Sequence, residues 1–297
     1  MLYSENFDLP ALEIKFLRYL KSKGKPESTI TAYKKDLKSF KQFIYTEYDG
    51  KFLFEQLTQS DVEDYLGYLV LDRKLKQSTA NRHLSTLKSF ARFLVSSQGY
   101  KENIPTKIEH ERVKSPLPKI LTEDELTILL NTAQEMSTYY YTIIATIYNT
   151  LSRITAIVEL KKENVNLEER KIFLPYIKGG RNQFLPINDK LFVILSKFLN
   201  EHPAHSSSFL FHSPKNITEH ITSDIVRKKL HEITATAGIE KRVTPHLLRH
   251  TAATFLTERG ISQKALAEIM GHTDTRSTDV YQHLTLQNLR EPINMLP

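Results

Sequence analysis

Apolar residues recur at helical spacing in four successive segments of the first hundred residues, which favours a helical bundle that buries them together. The stripe of the second segment consists of Ile30, Tyr33, Leu37, Phe40 and Ile44. We expect Ser28 to cap this second helix, the third helix to follow Thr58, and the fourth to begin at Ser78. The pattern predicts an N-terminal helical domain over residues 1–104.

The helical period lapses between residues 105 and 120, where prolines and cations replace the apolar stripe. We interpret this stretch as an interdomain linker, although a plain surface loop explains it equally well. A second domain over residues 121–297 follows. Its first helix is marked by Thr122 and Glu125, which have the spacing of a capping box.

Residues 166–186 break the helical pattern of the second domain. Polar and β-forming residues alternate there around two turn signals, Glu168-Glu169 and Gly179-Gly180, which predicts a short antiparallel sheet. Helices should resume near Asn188 and continue to the end, apart from loops such as residues 206–216. The predicted fold class is mainly α, an α+β chain in which a four-helix bundle precedes a mostly helical α/β domain with a small sheet.

The charge balance and the amino-acid usage limit the classes of partner and chemistry. A net charge of +7 and a pI near 9.2 favour a polyanion, because Lys and Arg laid against phosphates release condensed counterions. The sequence contains no cysteine, which suits a reducing compartment and excludes a disulfide framework, a cysteine-ligated zinc and a thiol nucleophile. The N-terminal residues lack the basic stretch of a signal peptide, and no apolar run approaches the roughly 20 residues that span a bilayer. We therefore expect a cytoplasmic protein without a membrane partner.

Two helices of the predicted bundle carry basic residues opposite their apolar stripes. These residues are Lys34, Lys35, Lys38 and Lys41 in the second helix, and Arg82, His83, Lys88 and Arg92 in the fourth. Two such faces in one small bundle could line a groove of a DNA duplex. Either face alone is explained at least as well as an ordinary solvated helix surface.

His246, Arg249 and His250 form a compact group of polar side chains. They follow Thr244-Pro245, a typical helix start, so a helix would make residues three and four apart neighbours on one face. Such a face can clamp and protonate a phosphate. The two histidines also have the spacing of zinc-binding helices. Against zinc, position 247 is Leu instead of a catalytic Glu, and a guanidinium between the ligands would repel a cation.

Further motifs stand in a fixed order around this group. Upstream are Arg153, in the string Thr150-Leu-Ser-Arg-Ile-Thr-Ala156, and Lys178 before Gly179-Gly180; downstream are Gly271-His272 and, nine residues after the histidine, Tyr281. Together with His-x-x-Arg-His, the ordered set resembles the tyrosine site-specific recombinases of the Xer and phage-integrase family. The resemblance covers nearly the whole chain, and its first hundred residues resemble the family's SAM-like, DNA-clasping bundle.

The resemblance implies that Tyr281 attacks a DNA phosphodiester and forms a 3′-phosphotyrosyl intermediate. A pentacoordinate phosphorus gains negative charge, and without a metal that charge needs fixed cations. Arg153 and Arg249 suit this role, since each guanidinium offers a planar pair of donors to the nonbridging oxygens. The covalent bond conserves the phosphodiester energy, so we expect no cofactor, neither ATP nor a divalent metal.

The same resemblance assigns roles to the other site residues. His246 would accept the tyrosine proton, and Lys178 would protonate the departing 5′ oxygen. His272 would hydrogen-bond a phosphate oxygen. His250 would orient its helix and take no part in the chemistry.

The expected partners are double-stranded DNA with paired inverted-repeat sites and further copies of the chain. The family implies strand exchange through a Holliday junction in a tetramer, with a second recombinase or a regulatory protein as an additional partner. The tail after Tyr281, residues 282–297, would dock on a neighbouring protomer through Leu284, Leu286 and Leu289. Alternatively, these leucines pack on their own subunit.

One departure from the family pattern lies near the first arginine. Ala156 replaces the family's acidic residue, and the Gly-Leu before the arginine becomes Leu151-Ser152. Glu159 lies one turn further but would point about 60° away from the usual direction. Two alternatives to a recombinase are therefore kept, a catalytically silent DNA-binding protein and a type IB topoisomerase. Among recombinases, dimer resolution, integration, excision and inversion share one active site, so the biological role stays open.

Overall fold

A computed structural model describes residues 7–112, 120–177, 181–201, 207–271 and 292–297. The chain divides into two compact units, Met1–Pro116 and Leu117–Pro297, each with its own apolar core. The architecture is mainly helical with one small antiparallel sheet, which confirms the predicted fold class. None of the helices in the described ranges is long and apolar enough to cross a membrane.

The N-terminal unit is a bundle of helices built around aromatic side chains. Its helices are α1 (Leu9–Ser22), α2 (Glu27–Glu47), α3 (Gln59–Leu71) and α4 (Gln77–Gln98). The predicted stripe of α2 faces the core, where Ile30, Leu37, Phe40 and Ile44 are buried. Tyr33 is half-buried and stacks on Phe16 of α1 with ring centroids 5.9 Å apart. The helical period therefore predicted the buried face correctly.

The helix starts of this unit agree only in part with the sequence. Thr58 caps α3, since its hydroxyl accepts from the Asp61 amide at 3.2 Å and the Asp61 carboxylate accepts from the Thr58 amide at 2.7 Å. Ser28 is not the cap of α2, and that expectation was wrong. The carbonyl of Pro26 already accepts the amides of Thr29 and Ile30 at 2.9 and 3.1 Å, so the helix begins before Ser28.

The second unit holds the remaining elements. Its helices are α5 (Glu123–Met136), α6 (Thr138–Thr150), α7 (Ile154–Val158), α8 (Asp189–Glu201), α9 (Ser223–Thr236), α10 (Pro245–Glu258) and α11 (Gln263–Ile269). The capping box at α5 is present as predicted: Thr122 accepts from the Glu125 amide at 3.1 Å, and Glu125 accepts from the Thr122 amide at 2.8 Å. Helix α6 is almost wholly buried and forms the centre of this unit.

The sheet has the predicted antiparallel form and the order β1 (Val165–Asn166), β2 (Lys171–Ile177), β3 (Arg181–Pro186). Ile172 pairs with Leu185, and Leu174 pairs with Gln183. Leu185 is fully buried whereas Phe184 is 46% exposed, so Gln183 belongs to the strand face that meets the core. The predicted turn at Gly179-Gly180 lies outside the described residues.

The last six residues pack against the same unit. Ile293 and Leu296 are buried in its core. The amide of Asp189 donates to the Asn294 side chain at 3.0 Å, and the Lys190 ammonium donates to the Leu296 carbonyl at 3.0 Å. The docking of the tail on a neighbouring protomer through its leucines stays a prediction. Leu284, Leu286 and Leu289 lie outside the described residues.

Candidate active site

Helix α10 carries the histidine and arginine group as the sequence predicts. Thr244 caps it, with its hydroxyl accepting from the Leu247 amide at 3.1 Å, and Pro245 occupies the first turn. Leu248, Thr251 and Ala252 anchor the helix in the core. These buried residues fix the direction of α10 and thereby position the histidine and arginine side chains.

Arg249 is buried in the second unit, with a relative exposure of 5%. Its guanidinium donates to the Met270 carbonyl at 2.8 Å, at the end of α11. A buried guanidinium without partners would be very costly, so this carbonyl both stabilises the side chain and fixes its direction. His246 and His250, three residues before and one after, remain exposed to solvent.

Arg153 lies at the start of α7, directly after the turn that ends α6. The turn residue Leu151 has φ +51° and is fully buried, although left-handed backbone favours glycine. The resemblance aligns this position with the family's glycine. Leu151 therefore adopts the backbone that a glycine would adopt freely, and its buried side chain compensates the strain.

Arg153 and Arg249 line one cleft of about 150 Å³. Its lining also includes Ser152, Thr155, Ala156, Glu159, Leu174, Pro175, Gln183, Ile269 and Met270. Burial, and secondarily the charge of Arg153, lowers the pKa of Arg249 to about 10. Arg249 stays charged at neutral pH, so the cleft holds two guanidinium groups that repel each other and would attract an anion.

The same electrostatic environment affects the pKa of His246. Desolvation, followed by the charges of Arg249 and His250, lowers the pKa of His246 below its ordinary value. At neutral pH the imidazole is therefore mainly uncharged and able to accept a proton. This protonation state suits a general base in a cationic site.

The departure at Ala156 can be located in this cleft. Ala156 is half-buried and lines the cleft, and Glu159, the residue directly after α7, lines it as well. The cleft that holds the two arginines thus also includes an acidic residue, one turn beyond the position at which the family has its acid. Whether it replaces that acid in catalysis stays a prediction.

Three predicted site residues lie outside the described residues. They are Lys178, between β2 and β3 in the sequence, His272, directly after Gly271, and the proposed nucleophile Tyr281. Gln183 of β3 and Met270, the residue before Gly271, line the cleft that holds the arginines. Within the described ranges, no group of three or more His, Asp or Glu side chains could hold a metal ion.

Most of the predicted basic faces of the N-terminal unit reach solvent. Lys34, Lys35, Lys38, Arg82 and Arg92 are exposed, and Lys88 is half-buried. Lys41 is half-buried too, and it forms an ion pair with Glu13 of α1. An open groove of about 680 Å³ elsewhere in the unit is acidic, lined by Glu47, Asp61, Glu63, Asp64 and Asp72 among others. That groove would repel a phosphate backbone. Contact between DNA and the exposed cations of α2 and α4 stays a prediction.

His83 is not on the exposed face, and the expectation that placed it there was wrong. It is 6% exposed, its Nδ1 lies 2.8 Å from the Tyr65 hydroxyl, and its Nε2 lies 3.3 Å from Asp36. Burial lowers the pKa of His83, since desolvation outweighs the attraction of Asp36. Residue 83 follows Arg82 in the sequence but points about 100° away from it around the helix, toward its partners in α2 and α3.

Two polar residues, one buried and one half-buried, were missed by the sequence reasoning. Asp36 is 2% exposed and accepts hydrogen bonds from Arg82 and, at 2.7 Å, from Thr86, so it holds the exposed Arg82 guanidinium in place. Gln183 bonds the end of α11 from β3. A signal for both was available, namely a polar residue at a position next to or within an apolar stripe.

Comparison with known proteins agrees with this geometry. The phage integrase family matches residues 119–288, and the phage integrase N-terminal SAM-like domain matches residues 14–98. A tyrosine recombinase of Thermosipho africanus is 30% identical over 91% of this chain and 93% of its own. The tyrosine recombinase XerC of Lactobacillus delbrueckii subsp. bulgaricus is 31% identical over 94% and 96%. A solved lambda integrase tetramer bound to a Holliday junction superposes with a TM-score of 0.72 at 18% identity, covering 91% of this chain and 79% of that one.

The chain therefore belongs to the phage integrase family, whose members' catalytic domain matches more than half of it. Its curated relatives narrow the class further. It is an Xer-like tyrosine recombinase, an enzyme that cleaves and rejoins DNA in site-specific recombination.

Proposed function

We propose that the chain exchanges strands between two DNA sites, with Tyr281 attacking the phosphodiester to form a 3′-phosphotyrosyl bond. The observation that carries this proposal is the pair Arg153 and Arg249 at one cleft. Arg249 is almost fully buried, its direction is fixed by a backbone carbonyl, and desolvation, followed by the like charge of Arg153, lowers its pKa. A fold gains nothing from such repulsion, whereas a bound phosphate would convert it into attraction.

The two guanidinium groups suit the transition state better than the ground state. The phosphodiester carries one negative charge, and the pentacoordinate state adds a second on the nonbridging oxygens. Preorganised donors at that point would lower the barrier by about 3–4 kcal/mol each, by analogy with oxyanion holes. Arg249→Lys would lose the planar pair of donors and, with it, most of this effect.

Proton transfer would involve the remaining residues. The lowered pKa of His246 favours its neutral form, which can accept the proton of the Tyr281 hydroxyl. We assign Lys178 as the acid for the departing 5′ oxygen and His272 as a hydrogen-bond donor to the phosphate. The order of these residues in the chain supports both assignments.

We further propose that four protomers assemble on paired inverted-repeat sites and that the reaction passes through a Holliday junction. The support is the fold shared with lambda integrase, which has been solved as a tetramer bound to a Holliday junction. The exposed lysines and arginines of α2 and α4 would contact the phosphate backbone. Because its substrate is DNA, we assign the activity to the cytoplasm. Dimer resolution and integration or excision of a mobile element are the roles that fit an Xer-like enzyme.

The test uses the full-length protein with genomic and mobile-element DNA. Wild type, Tyr281→Phe and a matched control, Tyr45→Phe at a 54% exposed tyrosine of the N-terminal unit, are incubated with the DNA. Covalent adducts that resist SDS are recovered, and their DNA ends are sequenced. We expect adducts at one inverted-repeat site with wild type and Tyr45→Phe, and none with Tyr281→Phe.

Each other outcome identifies an alternative. Scattered adducts that depend on Tyr281 would indicate a type IB topoisomerase. DNA binding without any adduct would indicate a silent DNA-binding protein. Adducts that persist in Tyr281→Phe would refute the assignment of the nucleophile.

A further inference from the structure

Gln183, in strand β3, connects the β2–β3 pair to the end of α11 by side-chain hydrogen bonds. Its Nε2 atom donates to the Glu268 carbonyl at 2.7 Å and to the Ile269 carbonyl at 3.0 Å. Both acceptors are carbonyls, so the amide orientation is determined: the nitrogen must face them. The residues are more than eighty positions apart in the chain, and the contact links β3 to the helix that precedes the Gly-His motif.

The carbonyls that end α11 accept hydrogen bonds from side chains outside the helix. Backbone amides satisfy these carbonyls only in part: Glu268 accepts from the Gly271 amide at 3.0 Å, and side chains or water must supply the remaining donors. Here Gln183 takes Glu268 and Ile269, while Arg249 takes Met270 at 2.8 Å. Two side chains thus hold three consecutive carbonyls. One of them, Arg249, forms the proposed phosphate clamp together with Arg153.

The backbone after α11 fits closely against the same glutamine. Gly271 has φ +58°, and a Cβ built on it would lie 2.7 Å from the Gln183 Oε1 atom. A residue with a side chain would therefore be strained by its backbone and would displace the amide. The Gly-His motif needs its glycine here for both reasons.

We infer that Gln183 is a positioning residue for the phosphate clamp, and this inference rests on the proposed function. Gln183 acts through the Met270 carbonyl: by holding the two preceding carbonyls, it fixes the acceptor that directs Arg249. It also links the strand that follows Lys178 to the backbone that leads into His272. Gln183 does not itself touch the phosphate.

Two substitutions separate the contributions of Gln183. Gln183→Glu has the same size, but its carboxylate loses the donor and adds negative charge beside two carbonyls, at the negative end of α11. Gln183→Met keeps the length and the neutrality without any donor. Gln263→Glu is the matched control, because it makes the same change at the exposed first residue of the same helix, where a negative charge is favourable.

The first readout is cleavage of an oligonucleotide that carries the mapped site, under single-turnover conditions with saturating protein. We expect Gln183→Glu to lower the cleavage rate constant about tenfold or more, and Gln183→Met somewhat less, because a misdirected clamp loses part of its donor effect. DNA affinity should stay within about twofold of wild type, since many phosphate contacts share it. Gln263→Glu should cleave within about twofold of wild type.

The second readout does not depend on activity. The amides of Met270 and Gly271 donate to Leu266 and Glu268 at 2.9 and 3.0 Å, and we expect both to exchange with deuterium about tenfold faster in the Gln183 variants. Thermal melting reports whether a variant has lost its fold. If Gln183→Glu melts early, Gln183→Met decides the question.

The inference is overturned if Gln183→Met folds and cleaves like the control, or if exchange at Met270 and Gly271 is unchanged. Equal losses in rate and in DNA affinity would also overturn it, because they indicate general damage to the unit. A wild-type protein without Tyr281-dependent adducts would refute the proposed function alone. The exchange measurement would then still test whether Gln183 holds this segment.

Discussion

The buried residue Leu151 allows the strain of one turn beside the clamp to be measured. It ends α6 with φ +51° and ψ +26°, and its side chain is fully buried in the core of the second unit. Left-handed backbone costs an ordinary L-residue about 1–2 kcal/mol. Removing a buried leucine side chain costs about 2–5 kcal/mol, which explains how the side chain outweighs the strain. We predict that a pair of substitutions can separate the cost of the left-handed backbone from the gain of burying the side chain.

The informative quantity is the difference in the free energy of unfolding between Ala and Gly at one position. In a helix interior this step costs about 1 kcal/mol of propensity, and a buried methyl adds about 0.8 kcal/mol. Ala145, in the same helix and 1% exposed, should therefore lose about 2 kcal/mol when changed to Gly. At residue 151 the relief of about 1–2 kcal/mol of strain should offset most of that cost, so Leu151→Gly and Leu151→Ala should be almost equally stable.

The assay is equilibrium unfolding in urea, followed by circular dichroism at the helical band. Both positions lie in the same unit, so the same transition reports both comparisons. We expect the Ala-to-Gly step at residue 151 to cost about 1–2 kcal/mol less than the step at residue 145. Equal costs at the two positions would refute the reasoning, because they would mean that the turn stores no strain.

Three further predictions follow from single contacts. Lys241 donates to Glu125 at 2.6 Å and lowers the pKa of that carboxyl, so the pair stabilises the fold above about pH 4.5 and loses its effect as the pH falls through the lowered pKa. Glu125→Gln should cost about 0.2–1 kcal/mol at pH 7 in urea unfolding and nothing once wild-type Glu125 is protonated; a constant difference at every pH would contradict this. Ile293→Ala should weaken docking of the last residues by about 2 kcal/mol and speed deuterium exchange of the Asp189 amide about thirtyfold; unchanged exchange would exclude that docking contact. Lys38→Gln should reduce the slope of log affinity for DNA against log salt by about 0.9 if it contacts a phosphate, and an unchanged slope would remove Lys38 from the interface.

The parts that the sequence predicted correctly are those with local causes. The capping box of Thr122 and Glu125 needs only residues three apart, and the stripe of α2 needs only a helical period. The sheet followed from alternation around turn residues. The helix that carries His246 and Arg249 followed from Thr244-Pro245, a start signal directly before the motif.

The parts that were missed depend on contacts between distant residues. His83 is buried because Tyr65 and Asp36 reach it from other helices, and no pattern within α4 contains that information. Gln183 could be marked as unusual, a polar residue on a core-facing strand position, but its partners lie on a helix far along the chain. The failed cap at Ser28 is different: Pro26 was visible, and its carbonyl was overlooked as the first helical acceptor.

In the proposed clamp of Arg153 and Arg249, the same electrostatic energy affects both the stability of the unit and its activity. Arg249 lies buried beside Arg153 with a hydrogen bond to the Met270 carbonyl, and desolvation, followed by the charge of Arg153, lowers the pKa of Arg249, so the cleft stores unfavourable electrostatic energy. A bound phosphodiester would remove that energy, and the catalytic unit should then unfold at higher urea concentration with DNA than without it. Replacing either arginine should reduce the stabilisation, since each guanidinium contributes its own attraction to the phosphate. A site in which the fold tolerates repulsion until an anion arrives is preorganised for the added charge of phosphoryl transfer, because the donors need not move as that charge develops.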